Sequence, residues 1–199
     1  MIQFALLLEK DTRFNEIIEL YGHTEPVIRK PGLETLCKII LEQQVSLQSA
    51  KAAFDKLVSC VIDFTPEKLA ICAEEDFKSC GVSRQKAKYI KGLAEAVISG
   101  TLDFDELHGK NHDEVRGELL RLKGIGNWTV DIYLMFSLQS PDILPLGDIA
   151  IISAIKDIWG FTALEEIALH SKNWSPYRSS AAFLLWHYYL AKRGRKFPS

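Results

Sequence analysis

Helical periodicity dominates this chain of 199 residues, and it restricts the fold more than any other feature. Apolar residues recur mostly at helical spacing over residues 35–58, with residues 43–46 as a candidate break into two helices. The strict alternation of apolar and polar residues that marks half-buried strands is nearly absent. We therefore predict an all-α protein of eight to ten helices joined by short loops.

Capping residues place several of the predicted helix ends. Thr65 precedes Pro66, a proline at the first helical position, and Ser83 and Gly100 bracket a long periodic segment. Ser46 is predicted to cap the helix that follows the break. Further helices are predicted over residues 113–122, 127–138 and 148–159, and from Ser175-Pro176 to near Gly194.

Formal charge is nearly balanced, with 24 Lys and Arg residues against 26 Asp and Glu residues. A net charge of −2 argues against a protein that coats nucleic acid through bulk charge. The basic residues are nevertheless clustered, in the acid-free residues 167–199 and in a run of Arg84, Lys86, Lys88 and Lys91. Such runs are usually solvated helix faces, and patches that face a polyanion are the alternative.

Cysteine spacing and hydropathy predict a cytoplasmic chain. Cys37, Cys60, Cys72 and Cys80 include no C-x-x-C pair, which makes them a poor ligand set for zinc or an iron–sulfur cluster. The apolar residues 1–8 lack a basic flank and a cleavage site, so no signal peptide is predicted. No apolar run reaches the length of a membrane span.

The most informative segment reads helix, tight glycine turn, helix over residues 119–131. Gly124 and Gly126 flank Ile125, and glycines allow positive φ and close backbone approach. Main-chain N–H groups of such a turn point outward together and form an anion site, while Ile125 is expected to point inward. A plain helix corner with a capping glycine is the alternative. The tighter L-x-G-I-G pattern favours phosphate binding.

Five segments, in the same order along the chain, resemble the signature of one enzyme family. They are L-K-G-I-G-N-W-T at residues 122–129, L-P-L-G-D at 144–148, I-L-E-Q-Q-V-S at 40–46, C-G-V-S-R-Q-K-A at 80–87, and W-S-P-Y-R-S with A-A and W within 174–186. As a set they resemble the helix-hairpin-helix (HhH-GPD) superfamily of base-excision DNA glycosylases. Within that superfamily, the chain is most similar to the 3-methyladenine DNA glycosylase II (AlkA-like) branch.

Asp148 is the catalytic residue that this resemblance implies. Taken alone, an aspartate before an apolar helix is usually an N-cap. The two roles are compatible, because helix-terminal N–H groups keep a carboxylate ionised and aimed. Cleavage of an N-glycosidic bond builds positive charge on the sugar, and a fixed carboxylate stabilises that charge and directs water to C1′.

Two tryptophans are the implied walls of the base pocket. Trp128 and Trp186 would stack on a flipped, cationic base, although core packing is the usual place for such rings. Lyase members of the family carry at the position of Trp128 a lysine that forms a Schiff base. The resemblance therefore implies a monofunctional enzyme that leaves an abasic site. Sequence does not select among Tyr133 and the other tyrosines as further pocket residues.

The resemblance also implies DNA contacts outside the base pocket. Gln44 stands at the position of the family's wedge, which fills the gap left by a flipped nucleotide; a polar residue at a helix break is the alternative. Arg178 has three candidate roles: a phosphate contact, a brace for the helix of Asp148, or an internal salt bridge. Main-chain N–H groups that would hold DNA phosphates belong to Gly124, Ile125, Gly126 and Thr129. Backbone carbonyls that would hold a structural Na⁺ or K⁺ ion belong to Leu120, Leu122 and Ile125.

We expect two helical lobes, with residues 30–145 as the hairpin-bearing lobe and residues 1–29 plus 146–199 as the second. The predicted function is hydrolytic removal of alkylated purines from double-stranded DNA by a monomer that binds no membrane. No catalytic cofactor and no iron–sulfur cluster are expected. A non-catalytic helix-hairpin-helix module that senses damaged DNA is one alternative, and a glycosylase for deaminated or oxidised bases is another.

Overall fold

Helices account for all the regular secondary structure over residues 3–196, the part of the chain that the computed structural model describes. The α-helices are α1 Phe4–Lys10, α2 Arg13–Tyr21, α3 Leu33–Glu42, α4 Leu47–Cys60, α5 Pro66–Ile71, α6 Glu74–Ser79, α7 Arg84–Ile98, α8 Phe104–Gly109, α9 His112–Leu119, α10 Asn127–Phe136, α11 Ile149–Trp159, α12 Leu164–His170 and α13 Arg178–Ala191, with a 3₁₀ helix at Ser171–Trp174. The all-α prediction is confirmed. No helix in this range is long and apolar enough to cross a membrane. Met1 and Ile2, part of the segment examined for a signal peptide, lie outside the described residues.

Local capping explains where the long helices begin. The side chains of Ser46, Thr65 and Ser83 each accept a hydrogen bond from the backbone N–H three residues later. The predicted break over residues 43–46 is confirmed, since α3 ends at Glu42 and α4 begins at Leu47. The helices exceed the predicted number in part because α6 and α8 have only six residues each, too few to show a clear period. Helix α5 is equally short but was predicted from its Thr65 cap and Pro66.

Two predicted helix ends differ from the structure. Helix α9 stops at Leu119 instead of 122, because the next residues turn toward the glycine segment. The last helix begins at Arg178 instead of Ser175, since Ser175 and Pro176 form a turn in which the Tyr177 N–H donates to the Trp174 carbonyl at 2.7 Å. In both places the residues that were predicted to be helical form a turn instead.

The chain divides into two compact units, each formed by a different set of helices. The hairpin unit comprises residues 29–133, and its core is formed mainly by α3, α4, α5 and α7, whose buried side chains include Leu36, Leu57 and Leu93. The second unit comprises residues 3–28 and 134–196, with α2, α11 and α13 among its packed helices. Residues 134–145, which the sequence division assigned to the hairpin-bearing lobe, group with the second unit.

A half-buried carboxylate organises the aromatic side chains of the second unit. One oxygen of Asp11 accepts hydrogen bonds from the indole N–H groups of Trp159 and Trp174, at 3.0 and 2.9 Å, and lies 3.1 Å from Nε2 of His170. Phe14 packs edge-on against both indoles. Burial disfavours the charged carboxylate, but the hydrogen bonds from Trp174 and His170 outweigh it and hold the pKa of Asp11 below its usual value.

Replacement of Asp11 by alanine is expected to lower the free energy of unfolding by about 1–3 kcal/mol, because the indole N–H groups of the buried Trp174 and the half-buried Trp159 lose their acceptor. Since the folded-state pKa is depressed, this contribution is present above about pH 4 and is lost as the pH falls through the folded pKa. Urea unfolding between pH 3 and 7 measures both effects.

Asp55, on the exposed face of α4 beside Lys51, provides the matched control. Asp55→Ala is expected to change the unfolding free energy by less than about 0.5 kcal/mol. An equal loss for the two variants, or an Asp11→Ala variant that keeps the acid dependence of the wild type, would contradict the role of Asp11.

Candidate functional site

The glycine turn joins α9 to α10 in the hairpin unit and is held by short backbone hydrogen bonds. Leu122 N–H donates to the Leu119 carbonyl, and Ile125 N–H donates to the Leu122 carbonyl, both at 3.1 Å. The Ile125 N–H, which was expected to hold a phosphate, is therefore engaged within the turn. The Ile125 side chain is buried, which confirms that it points inward. Gly126 is exposed, and a Cβ atom there would meet no atom within 4 Å. The outer side of the turn therefore presents main chain without a covering side chain.

Gly124 is required by two independent features of the turn. Its φ is +90°, a left-handed value that residues with a Cβ atom rarely adopt. A Cβ atom at this position would also lie 2.1 Å from Cγ of Tyr89, whose ring projects from α7. The turn therefore rests directly on the Tyr89 ring, and the glycine does more than cap a helix.

Arg116 ties the two hairpin helices together. Its guanidinium forms a salt bridge with Asp131 of α10 and donates a 3.2 Å hydrogen bond to the side-chain oxygen of Asn127. Burial raises the pKa of Asp131, and the Arg116 charge and hydrogen bond oppose that rise. Sequence reasoning missed this pair, because its members are fifteen residues apart and no local spacing rule links them.

Gln43 connects the break after α3 with the hairpin. Its side-chain nitrogen donates to the Gly124 carbonyl at 2.8 Å and to the hydroxyl oxygen of Thr129 at 2.9 Å. Thr129 is only 2% exposed, so its hydroxyl lies on the interior side of the hairpin. The phosphate contact expected of Thr129 involves its main-chain N–H, which the position of the side chain does not test, so that contact stays a prediction. Gln43 lies within the I-L-E-Q-Q-V-S motif, but the sequence alone predicted no role for it.

The residue beside Gln43 carries the predicted wedge. Gln44 is exposed and has a φ of +56°, in the left-handed region. Beside it lies a cavity of about 650 Å³, whose lining includes Gln44, Ser49, Lys86, Tyr89, Gly124 and Gly126. The structure therefore brings the wedge position and the glycine turn to one cavity of the hairpin unit.

Asp148 belongs to the second unit and is the N-cap of α11. Its Oδ1 accepts hydrogen bonds from the backbone N–H groups of Ala150 and Ile151, at 2.9 and 3.1 Å. Its own N–H donates to the Pro145 carbonyl at 2.9 Å, which closes the loop before the helix. The half-buried carboxylate is thus fixed in direction by the start of its helix, while the next side chain, Ile149, is largely exposed.

The two predicted pocket tryptophans lie in different units. Trp128 is half-buried on α10 of the hairpin unit. Trp186 is 6% exposed and packs in the second unit against Phe136 and Phe183, with ring centroids 5.6 and 5.8 Å away. Tyr133 is fully buried, and its hydroxyl accepts a hydrogen bond from the Gly32 N–H, so it is a core residue. Trp186 contributes to the aromatic core, and the base pocket remains a prediction.

Arg178 adopts the third of its three expected roles, an internal salt bridge. Its Nε and Nη2 atoms donate to the two oxygens of Asp142 at 2.7 and 2.8 Å. Burial opposes ionisation of Asp142, but the hydrogen bonds from Arg178 and Ser175 hold its pKa below the usual value. This pair fixes the loop that begins α13.

Comparison with known proteins identifies relatives of this fold and site. The family model of the HhH-GPD superfamily base excision DNA repair proteins matches residues 37–177. A DNA-3-methyladenine glycosylase 1 from Schizosaccharomyces pombe is 29% identical over 186 residues, covering 88% of this chain and 82% of that protein. Two relatives from Bacillus subtilis are longer, and the chain spans 65% and 58% of their lengths.

Solved structures match over most of the chain as well. The crystal structure of a DNA-3-methyladenine glycosidase from Bacillus halodurans is 31% identical and has a TM-score of 0.77, with 94% of this chain and 89% of that chain covered. The S. pombe 3-methyladenine DNA glycosylase Mag1, in complex with abasic DNA, is 29% identical with a TM-score of 0.82. That match covers 88% of this chain and 90% of the S. pombe chain.

The two turn glycines are expected to differ in their effect on stability. Gly124→Ala forces a Cβ atom into the Tyr89 ring at a left-handed φ, and the unfolding free energy should fall by about 1–3 kcal/mol. Gly126→Ala meets open space and should stay within about 0.5 kcal/mol of wild type. Thermal unfolding followed by circular dichroism compares them. Equal melting temperatures for Gly124→Ala and wild type would exclude the packing constraint.

Proposed function

Because the chain belongs to the HhH-GPD superfamily of base excision DNA repair proteins, we propose that it is a monofunctional DNA glycosylase that hydrolyses the N-glycosidic bond of alkylated purines in duplex DNA. The substrates are bases of the 3-methyladenine and 7-methylguanine type. The observation that carries the proposal is the Asp148 carboxylate, which two backbone N–H groups at the start of α11 hold in one direction. The relatives' names support the lesion class.

Asp148 acts on charge that develops during the reaction. As the bond between base and sugar lengthens, the sugar becomes an oxocarbenium-like cation, and a fixed anion beside the sugar stabilises that charge more than it stabilises the ground state, in which the sugar itself is uncharged. The N-terminal end of α11 favours the ionised carboxylate. The same carboxylate orients a water molecule toward C1′. The water oxygen bonds to C1′ and the water loses one proton, which completes hydrolysis to a free base and an abasic site.

Alkylation itself supplies much of the leaving-group activation. A purine alkylated at N3 or N7 is cationic, so its departure as a neutral base needs no strong general acid. One carboxylate then suffices for the chemistry. The tryptophan at position 128 offers no amine for a Schiff base, which agrees with hydrolysis alone and with an uncut strand.

Recognition of the cationic base is assigned to aromatic rings. Trp128 and Trp186 are each a proposed base-stacking residue, because electron-rich rings attract a positively charged base through cation–π contact. Each such contact contributes roughly 0.5–2 kcal/mol, which favours alkylated bases over ordinary ones without reading a particular base edge. Trp186 is 6% exposed in its aromatic cluster.

The glycine turn is the proposed phosphate-binding element. Its exposed main chain at Gly126, beside the buried Ile125, can approach a phosphate closely, and main-chain N–H groups bind an anion without formal charge. Arg178, engaged with Asp142, has no part in this contact. Gln44 is the proposed wedge, since it is exposed at the tip of the turn after α3. Duplex DNA is therefore bound by this unit mainly through the turn.

We propose a monovalent cation beside this turn. Its ligands would be the carbonyls of Leu120, Leu122 and Ile125, which follow the end of α9. The Leu122 carbonyl already accepts the Ile125 N–H, and a carbonyl oxygen has a second lone pair for a cation. Carbonyl oxygens of this kind suit Na⁺ or K⁺. When bound, such an ion would supply positive charge beside a phosphate, and it takes no part in bond cleavage.

Asp148→Asn is the decisive variant. Asparagine is as good an N-cap as aspartate, so α11 should remain intact while the negative charge is lost. Release of free base from duplex DNA containing 3-methyladenine or 7-methylguanine should fall by roughly a hundredfold or more. Binding to the same duplex should persist. Chromatographic detection of free base and a gel-shift assay provide the two measurements.

The outcomes of this assay separate the candidate functions. Equal release by wild type and Asp148→Asn would refute the catalytic role of Asp148. No release by the wild type, with binding retained, would identify a damage-binding module instead. Release of deaminated or oxidised bases in preference to alkylated ones would overturn the proposed lesion class.

Gly126→Ala should weaken binding to damaged and undamaged duplexes by the same factor, because the added Cβ atom separates the turn from phosphates that every duplex has. Gly117→Ala, on the exposed surface of α9 with open space around it, is the matched control for the substitution itself. Fluorescence anisotropy with both duplexes measures the ratio. A loss confined to the damaged duplex would contradict the phosphate role.

A further inference from the structure

The end of α3 is held by a cation from another helix. Nζ of Lys86, in the first turn of α7, donates hydrogen bonds to the carbonyls of Leu41 and Gln43 at 2.7 and 2.8 Å. The last carbonyls of a helix have no partner within it and carry partial negative charge. The adjoining carboxylate of Glu42 is paired with Arg29, with nitrogen–oxygen distances of 2.7 and 2.9 Å, so the Lys86 ammonium serves the main chain.

Lys86 therefore fits neither interpretation of the basic run. Its side chain is half-buried and turned inward, whereas Lys88 on the same helix is exposed. Burial lowers the pKa of Lys86 because it disfavours the ammonium ion. A lysine kept in this position is bound to specific acceptors, and it contributes little to a solvated face or to a surface patch for phosphates.

The carbonyls bound by Lys86 lie just before a strained residue. Gln44 follows Gln43 directly and has a φ of +56°, a conformation that costs free energy in any residue with a Cβ atom. Such a conformation persists only where neighbouring contacts over-determine it. Here the carbonyl of Gln43 is bound by Lys86, and its side chain is bound to Gly124 and Thr129.

Helix α7 contacts the hairpin as well as the turn. Tyr89, three residues after Lys86, lies directly beneath Gly124. One face of α7 thus supports the Gln44 turn through Lys86 and the glycine turn through Tyr89. Gln43 closes the connection between the two turns by donating to the Gly124 carbonyl.

We propose that Lys86 is a positioning residue, which fixes the position of the turn at Gln44 relative to the glycine turn. The wedge and the phosphate-binding turn can then contact one duplex at the same time. The inference rests on the proposed function, because it takes Gln44 as the wedge. Lys86 itself touches neither the base nor the sugar. Its loss should leave both DNA-binding elements present but should allow the Gln44 turn to move.

The test compares four variants by a structural and a functional readout. Lys86→Met keeps the length and apolar stem but removes the donors, and Lys86→Arg keeps donors and charge. Lys88→Met removes one charge from the same run and is the matched control. Gln44→Ala removes the wedge. The structural readout is amide hydrogen exchange of residues 41–46, and the functional one is fluorescence of 2-aminopurine beside a tetrahydrofuran abasic analogue in a duplex, at saturating protein.

We expect Lys86→Met to speed amide exchange of residues 41–46 by roughly tenfold, as two carbonyls lose their donor. The 2-aminopurine signal, which reports unstacking by the wedge, should fall to about the level of Gln44→Ala. Adding Lys86→Met to Gln44→Ala should cause little further loss, since one residue acts through the other. Lys86→Arg should restore most of the signal, and Lys88→Met should not alter exchange in this segment.

Three results would overturn the proposal. They are unchanged exchange in Lys86→Met, a loss in Lys86→Met that Lys88→Met matches, and fully additive losses in the double variant. Failure of the wedge is distinguishable, because Gln44→Ala would then leave the 2-aminopurine signal unchanged while the exchange result still reports on Lys86. If Lys86→Met melts far below wild type, Lys86→Gln takes its place, because it removes the charge and shortens the reach of the donor while the side chain stays polar.

Discussion

The contact between the Gly124 backbone and the Tyr89 ring is the constraint on which the hairpin unit depends. It admits no side chain at position 124, and it sets the distance between the glycine turn and α7. Two further contacts hold the turn in this position. The Gln43 side chain donates a hydrogen bond to the Gly124 carbonyl, and Arg116 joins the two hairpin helices through its salt bridge with Asp131. A rigid turn is what main-chain anion binding needs, because N–H groups that must first be ordered bind less tightly.

Net charge turns out to be a poor guide to the partner of this protein. A chain at −2 belongs to a DNA-repair superfamily, and its proposed phosphate contacts come from main-chain N–H groups, which formal charge does not count. The basic run of residues 84–91 is not uniform, since Lys86 is directed inward to helix-end carbonyls while Lys88 faces solvent. Position within the fold, and not the number of positive charges, decides what each lysine does.

Much of the fold and part of the site could be predicted from sequence, because the interactions responsible are local. Helix periodicity, the caps at Ser83 and Asp148, the break after Glu42 and the inward side chain of Ile125 each depend on residues within about four positions. Helices α6 and α8 escaped prediction because six residues contain too little pattern. The family motifs identified the superfamily because each motif is a short run of consecutive residues, which can be read directly from the sequence.

The sequence by itself determined the all-α class, the hairpin and the position of Asp148 as a helix cap. Only the tertiary structure decided that Arg178 pairs with Asp142, that Thr129 lies inside the hairpin and that Trp186 packs in an aromatic core. It also decided the role of Lys86, whose acceptors lie 43 and 45 residues away. The physical reason is that a helix cap or a helical periodicity depends on neighbours in the chain. The partner of a long side chain depends on which distant group the packing of the helices brings into contact with it.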